Sequence, residues 1–260
     1  GDIIYTSTDS GESWKIIMNR LEYSRFDWNI PYMKPRYNGG GNCVHWISDI
    51  KLSPFDSDTA LFNTGTGLFM ITGLASGDVL VKPFCEGIEE TVHLNVYTTP
   101  HGRNRIIDII GDLGGFAFED YDSECENSFA NENGDRYITC LNADFTLQRP
   151  EYIAATPRGN WTGKTKGGLI LSKDCGSTWE RLPMPRGLSE FIDKKLDNIE
   201  KPNVDSGWTA ISADGKRIMW AVAGGKGFSN KAVCYTDDEG KTWQKSILRT
   251  AVETQQMNTT

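Results

Sequence analysis

The segment Gly111-Asp112-Leu113-Gly114-Gly115-Phe116 places one carboxyl group on a glycine-rich bend, directly after an apolar strand predicted at 106–110. A carboxyl at such a bend can act as a general acid if burial or a neighbouring charge raises its pKa. Gly114 and Gly115 lack a β-carbon, so a ligand can approach their backbone closely. The same residues also suit a simpler role, in which Asp112 caps a turn between two strands. Taken alone, the hexapeptide favours the turn role.

An eight-residue pattern, [ST]-x-D-x-G-x-[ST]-W, occurs at 7–14, 172–179 and 236–243, each time after a short apolar run. An Asp side chain accepts bonds from the backbone N–H groups that follow it, and the Gly supplies a positive φ, so the pattern predicts a tight turn between two strands. The Trp is expected to pack onto the sheet. We therefore predict structural roles for Asp9, Asp174 and Asp238 and core positions for Trp14, Trp179 and Trp243.

A strand–turn–strand unit that recurs along a chain is typical of an all-β fold made of four-stranded antiparallel sheets. Apolar runs separated by Gly and Pro predict one complete sheet over 44–82 and two more over 137–183 and 205–248. Residues 83–104 are predicted to be a connector. Apolar residues at helical spacing between 188 and 199 predict a short surface helix.

Composition excludes several classes of partner. The chain has 260 residues, 38% of them hydrophobic, and a net charge of −8. With that charge and no basic cluster, we expect neither nucleic acid nor an anionic membrane as a partner. No run reaches the length of a membrane span. No zinc-type Cys spacing and no phosphate-binding Gly loop is present, so we expect no metal and no cofactor.

The six cysteines suit an oxidising compartment, because their number is even. Cys125 and Cys140 bracket a polar acidic loop and are the pair that we predict to form a disulfide. Glycosylation sequons begin at Asn160 and Asn258. Together these features favour a secreted protein.

Further segments carry a resemblance to a known family. They are 46–58, 87–91 and 111–116, followed by 210–215 and Ile218-Met219-Trp220. The octapeptides resemble the Asp box of β-propellers, and the ordered set resembles the middle of glycoside hydrolase family 74, the xyloglucanases. The resemblance implies an all-β chain of β-propeller blades from two adjacent propellers. Residues 1–100 would hold the last blades of a first propeller plus a connector, and 101–260 the first blades of a second.

The family resemblance also implies an activity. It implies an inverting endo-β-1,4-glucanase that acts on xyloglucan or a related β-glucan in a cleft between the propellers, with Asp112 as the general acid. The second catalytic Asp of the family lies in a segment like T-D-x-G-G-A-Y-R, which this sequence does not contain. We therefore expect a polysaccharide as substrate and the remainder of a two-propeller protein as a further partner.

Binding of a sugar needs exposed aromatic faces, because the C–H side of a pyranose packs on them. We expect Trp46, Trp161 and Trp28 to provide such faces, since they lie in or beside Gly-, Pro- or Asn-rich loops. His45 can bond a sugar hydroxyl, and Gly114 and Gly115 allow close approach. Trp208 and Trp220 lie in strand-like runs and are expected to be packed. Further acidic candidates are Glu89, Glu90, Asp120 and Asp122, the last two being expected in a solvated loop.

Two alternatives remain open at this point. One is a non-catalytic Asp-box propeller that binds a glycan or a protein, which the missing T-D-x-G-G-A-Y-R segment favours. The other is a sialidase, which the scattered Arg residues and the lack of a Phe-Arg-Ile-Pro segment disfavour.

Overall fold

The computed structural model describes residues 2–18, 27, 46–65, 67–88, 91–125, 127–160, 165–185, 207–222 and 232–246. Every regular element within these residues is a β-strand, as the sequence predicts. The described part of the chain has no helix long and apolar enough to cross a membrane. The helix predicted between 188 and 199 lies outside the described residues. The chain divides into two compact units, Gly1–Thr91 and Val92–Thr260.

The described residues of the first unit form two sheets. Strands β1 (Ile4–Thr6) and β2 (Lys15–Met18) pair antiparallel. Strands β3 (Asp49–Leu52), β4 (Thr59–Thr64), β5 (Gly67–Thr72) and β6 (Leu80–Pro83) form a four-stranded antiparallel sheet in chain order. This sheet confirms the one predicted over 44–82. Alternate residues of β4 and β5, among them Phe62 and Phe69, are buried against Ile4, Ile17 and Met18 of the smaller sheet.

The second unit contains three four-stranded antiparallel sheets, each in chain order. The first has β7 (Val92–Thr98), β8 (Ile106–Gly111), β9 (Gly114–Phe118) and β10 (Asn127–Ser128). The next has β11 (Cys140–Phe145), β12 (Ile153–Pro157), β13 (Ile170–Ser172) and β14 (Glu180–Arg181). The last has β15 (Trp208–Ile211), β16 (Ile218–Val222), β17 (Ala232–Thr236) and β18 (Gln244–Lys245). The prediction of a connector over 83–104 is wrong at 92–98, where the chain forms β7 and pairs with β8.

Alternating burial on β12 and β13 explains how these sheets stack. Ile153, Ala155 and Ile170 face a core that they share with the β7–β10 sheet. Ala154 and Leu171 point the other way, into a core shared with the β15–β18 sheet. Successive side chains of a strand alternate between its faces, so a strand buried on both sides carries apolar residues at consecutive positions.

The octapeptide turns join the last two strands of a sheet, and a carboxylate organises each of them. In the turn between β13 and β14, Asp174 accepts the backbone N–H of Thr178 at 2.8 Å and its hydroxyl at 2.6 Å. The N–H of Gly176 donates to the Ser172 hydroxyl at 2.8 Å. The other two turns repeat this pattern around Asp9 and Asp238.

The three Trp residues of these turns differ in burial. Trp179 is 4% exposed and packs on Phe129 of the preceding sheet, with ring centroids 4.3 Å apart. Trp243 is half-buried and packs against Trp220. Trp14 is 64% exposed, so its predicted core position is wrong. The motif fixes the turn, whereas burial of the Trp depends on a neighbouring sheet that no described residue supplies for the first turn.

Candidate active site around Asp112

Asp112 lies at the tip of the β8–β9 hairpin, where it is exposed. Its φ is 62°, in the left-handed region that Asp tolerates better than most residues. Its backbone N–H donates to the Thr139 hydroxyl at 3.0 Å, and the Leu113 N–H donates to the Gly111 carbonyl at 2.8 Å. These bonds fix the bend and leave the carboxylate free to meet a ligand. An exposed carboxyl on a rigid bend can exchange a proton with a bound molecule, but the burial or neighbouring charge expected of a general acid is not supplied by the described residues.

Gly114 and Gly115 are both buried directly behind this bend. A β-carbon on Gly114, whose φ is 82°, would lie 2.8 Å from the Tyr137 carbonyl oxygen. On Gly115 it would lie 2.7 Å from the Asp108 carbonyl oxygen and 2.8 Å from the Phe129 ring. Packing of the chain against itself therefore accounts for both glycines. The approach of a sugar, which we predicted as their role, is not needed to explain them.

A buried carboxylate that sequence reasoning missed lies on the same hairpin. Asp108 of β8 is 6% exposed, and its Oδ2 lies 2.8 Å from Nδ1 of His93 on β7. Burial raises the pKa of Asp108, and the contact with His93 opposes this rise. His93 pairs with Ile110, two residues before Asp112. A shift of register between His93 and Asn95 helps to place the ring over Asp108, and such a bulge leaves no clear signal in the sequence.

Trp46 is 70% exposed and belongs to the first unit. Its backbone is left-handed, with a φ of 60°, and its ring covers Gly65 so closely that a β-carbon there would lie 2.5 Å from Cε3. The ring is thus held from one side while most of its surface faces solvent. That arrangement suits the predicted sugar platform.

The remaining candidates have different outcomes. Trp208 is 62% exposed on β15, so its predicted packing is wrong, whereas Trp220 is fully buried. Asp120 accepts the Asp122 N–H at 3.0 Å and the Ser123 hydroxyl at 2.8 Å, in an exposed turn as expected. Five candidates lie outside the described residues: Trp28, His45, Glu89, Glu90 and Trp161.

The predicted disulfide is wrong, because Cys125 and Cys140 are both free thiols. Cys140 begins β11 with its side chain in the core, and burial raises its pKa to about 12.

The sequon residue Asn160 uses its side-chain N–H groups to bond the Arg136 carbonyl at 3.2 Å and the Thr165 hydroxyl at 2.9 Å. Within the described residues, no group of three or more His, Cys, Asp or Glu side chains could hold a metal.

The chain is similar to known xyloglucanases over most of its length. It is 24% identical to a xyloglucanase of a Paenibacillus species over 269 residues, which cover 94% of this chain and 23% of that protein. It is 24% identical to a xyloglucanase of Acetivibrio thermocellus over 263 residues, which cover 94% of this chain and 28% of that protein. The chain thus spans about a quarter of the length of these relatives. No protein-family model matches it.

Solved structures agree on the fold. The crystal structure of the glycoside hydrolase family 74 xyloglucanase from Xanthomonas campestris superposes with a TM-score of 0.68 at 21% identity, covering 95% of this chain and 31% of that one. These four-stranded sheets are therefore β-propeller blades. The chain resembles the family 74 xyloglucanases in particular, over part of their length and at low identity.

Proposed function

We propose that this chain is part of a glycoside hydrolase that cleaves the β-1,4-glucan backbone of xyloglucan with inversion, and that Asp112 is its general acid. The observation that carries the proposal is the exposed carboxylate of Asp112, fixed on a left-handed bend, in a chain similar to xyloglucanases over 94% of its length. Trp46 binds the glucan as an aromatic platform. The protein works outside the cell, where its polymeric substrate is found.

In an inverting reaction, Asp112 protonates the leaving glycosidic oxygen while a second carboxylate activates a water on the opposite face of the sugar. The two carboxyl groups in such enzymes lie about 6.5–9.5 Å apart, which leaves room for that water. The second carboxylate comes from the remainder of a two-propeller protein, because the sequence has no T-D-x-G-G-A-Y-R segment. The substrate chain therefore lies between Asp112 and that remainder.

The test is reducing-sugar release by the full-length protein from xyloglucan, with cellulose and mannan as control polymers. We expect release from xyloglucan, and a loss of about 10²–10⁴-fold on Asp112→Ala, the usual contribution of a positioned acid. The anomer formed first, read by NMR, checks inversion. Equal activity of wild type and variant would refute Asp112 as the acid.

A non-catalytic role in glycan binding is the second candidate, and the absence of the second catalytic segment favours it only for this chain taken alone. It predicts that the full-length protein binds xyloglucan without releasing reducing ends. The same assay, combined with a pull-down on insoluble xyloglucan, separates the two candidates.

A further inference from the structure

A cavity of about 630 Å³ lies beside the edge strand β14, bounded by the segments 131–133, 165–166 and 179–181 and by Tyr137. Its size falls within the roughly 300–1,000 Å³ usual for ligand sites. Tyr137 is 2% exposed and Trp179 is 4% exposed, and both line it. Tyr137 packs behind the Asp112 bend through its carbonyl oxygen, whereas its ring and Trp179 are separate from that site.

Two residues that line this cavity each carry a buried polar atom without a partner among the described residues: the Tyr137 hydroxyl and Nε1 of Trp179. Leaving a buried donor unbonded costs free energy, so each such group in a folded protein requires an explanation. In the third octapeptide turn the corresponding donor has a partner. There the equivalent indole N–H of Trp243 donates to the Pro183 carbonyl at 2.9 Å. The second turn differs, because the indole N–H of Trp179 has no such backbone oxygen as a partner in the described part of the chain.

The charges around the cavity indicate what kind of molecule would complete these bonds. Lys166 and Arg181 are balanced by Glu132 and Glu180, so the lining has no net charge. Arg181 uses Nε to bond the Gly167 carbonyl at 2.8 Å. Such a wall offers donors and acceptors together, and a hydroxyl group can bond both kinds. A simple anion would instead require an excess of positive charge.

We propose that this cavity is a second saccharide site, in which the buried Tyr137 hydroxyl and Trp179 indole N–H bond the oxygens of a short neutral glucan. The site is separate from Asp112 and rests on the proposed function only for the choice of a glucan. It would hold a polysaccharide chain on the outer side of the blade.

The experiment follows the indole N–H signals of the full-length protein, labelled with ¹⁵N-tryptophan and titrated with cellotetraose. The Trp179 signal is assigned through Trp179→Phe. We expect a saturable shift of this signal and a dissociation constant about ten-fold higher in Tyr137→Phe, since one bond is lost. The matched control is Tyr235→Phe, which removes a hydroxyl that bonds Gln244 on another sheet and should leave the dissociation constant unchanged.

Four results would overturn the proposal. The first is an unmoved Trp179 signal, which means that water alone completes the bonds. The second is an equal dissociation constant in Tyr137→Phe, and the third is a shift with sodium acetate but not with cellotetraose. The fourth is a lower melting temperature for Tyr137→Phe without sugar. The last would show that the hydroxyl already has a partner. Reducing-sugar release from xyloglucan is measured separately, so failure of the proposed hydrolase and failure of this site are distinguishable.

Discussion

A β-carbon on Gly176 would lie 3.0 Å from Cδ1 of Ile107, so the second octapeptide turn sits directly on the preceding sheet. The same added carbon would lie 3.2 Å from Cβ of Ala117. A β-carbon on Gly240 of the third turn would likewise lie 3.1 Å from Cδ of Pro183, which follows the last strand of the preceding sheet. The turn therefore requires glycine for two reasons: the backbone has a positive φ there, and a side chain would clash with the neighbouring sheet.

Gly176→Ala should destabilise the protein more than Gly11→Ala. Both glycines have a positive φ, 83° and 92°, so the backbone strain is matched. On Gly11 a β-carbon would meet only Trp14, at 3.7 Å. We expect a difference of about 1–3 kcal/mol in the free energy of unfolding, the usual cost of overpacking, measured by urea titration. Equal losses would show that the turn, and not its contact with the next sheet, requires the glycine.

Asp112→Asn should lose hydrolysis of xyloglucan yet retain activity on an aryl glycoside whose leaving group is a dinitrophenolate. Such a leaving group needs no proton, so an enzyme without its general acid still cleaves it. Asn also accepts the left-handed backbone at this position, which keeps the bend intact. Asp122→Asn, an exposed carboxyl of the same unit, is the control and should behave as wild type. Parallel loss on both substrates would indicate a structural role for Asp112.

Trp46→Ala should weaken the binding of xyloglucan oligosaccharides by about 5–30-fold, which corresponds to roughly 1–2 kcal/mol of lost apolar contact. The expected change is in KM and not in kcat, because the ring holds the glucan chain without touching the scissile bond. Phe55→Ala, which removes an aromatic ring that is 96% exposed in the same unit, is the matched control. An equal effect of both substitutions would exclude Trp46 as a specific platform.

The turn aspartates should make stability fall steeply in acid. Hydrogen bonds from Ser13 lower the pKa of Asp9 from 3.8 to about 2, and those from Thr242 do the same for Asp238. The folded values lie below the unfolded ones, so this stabilisation is complete above pH 3.8 and is lost as the pH falls towards 2. Melting temperatures between these pH values should drop less in Asp238→Asn than in wild type. The same slope in both proteins would contradict the assignment.

The titration of Asp108 should make stability fall as the pH rises, in the opposite direction to the turn aspartates. Burial raises its pKa above the ordinary value of 3.8. Its contribution to stability is therefore complete below that value and is lost as the pH rises through the folded pKa. Asp108→Asn removes this dependence, so the stability of the variant relative to wild type should increase with pH and then level off. A constant difference across the range would mean that the carboxyl titrates alike in both states.

Local patterns predicted the strands well, because two-sided burial and turn residues are visible in sequence. The connector predicted over 83–104 does not account for β7, although the strand-like run after Glu90, Val92-His93-Leu94-Asn95-Val96, alternates apolar and polar residues. Its flanking Pro and Gly residues favoured a connector. Trp14 and Trp179 occupy the same place in one motif, yet only the second is buried. Burial there depends on another sheet, and the Asp108–His93 contact depends on strand register, so neither follows from local sequence.

The joint between neighbouring sheets has an evolutionary consequence. Its contacts come from the octapeptide turn itself, whereas Asp112 sits on a hairpin between the second and third strands of its sheet. Insertions and deletions at the tip of such a hairpin leave the contacts of the octapeptide glycine unchanged. A lineage can therefore remodel what the protein recognises by lengthening these loops, while the eight-residue turn keeps neighbouring sheets packed.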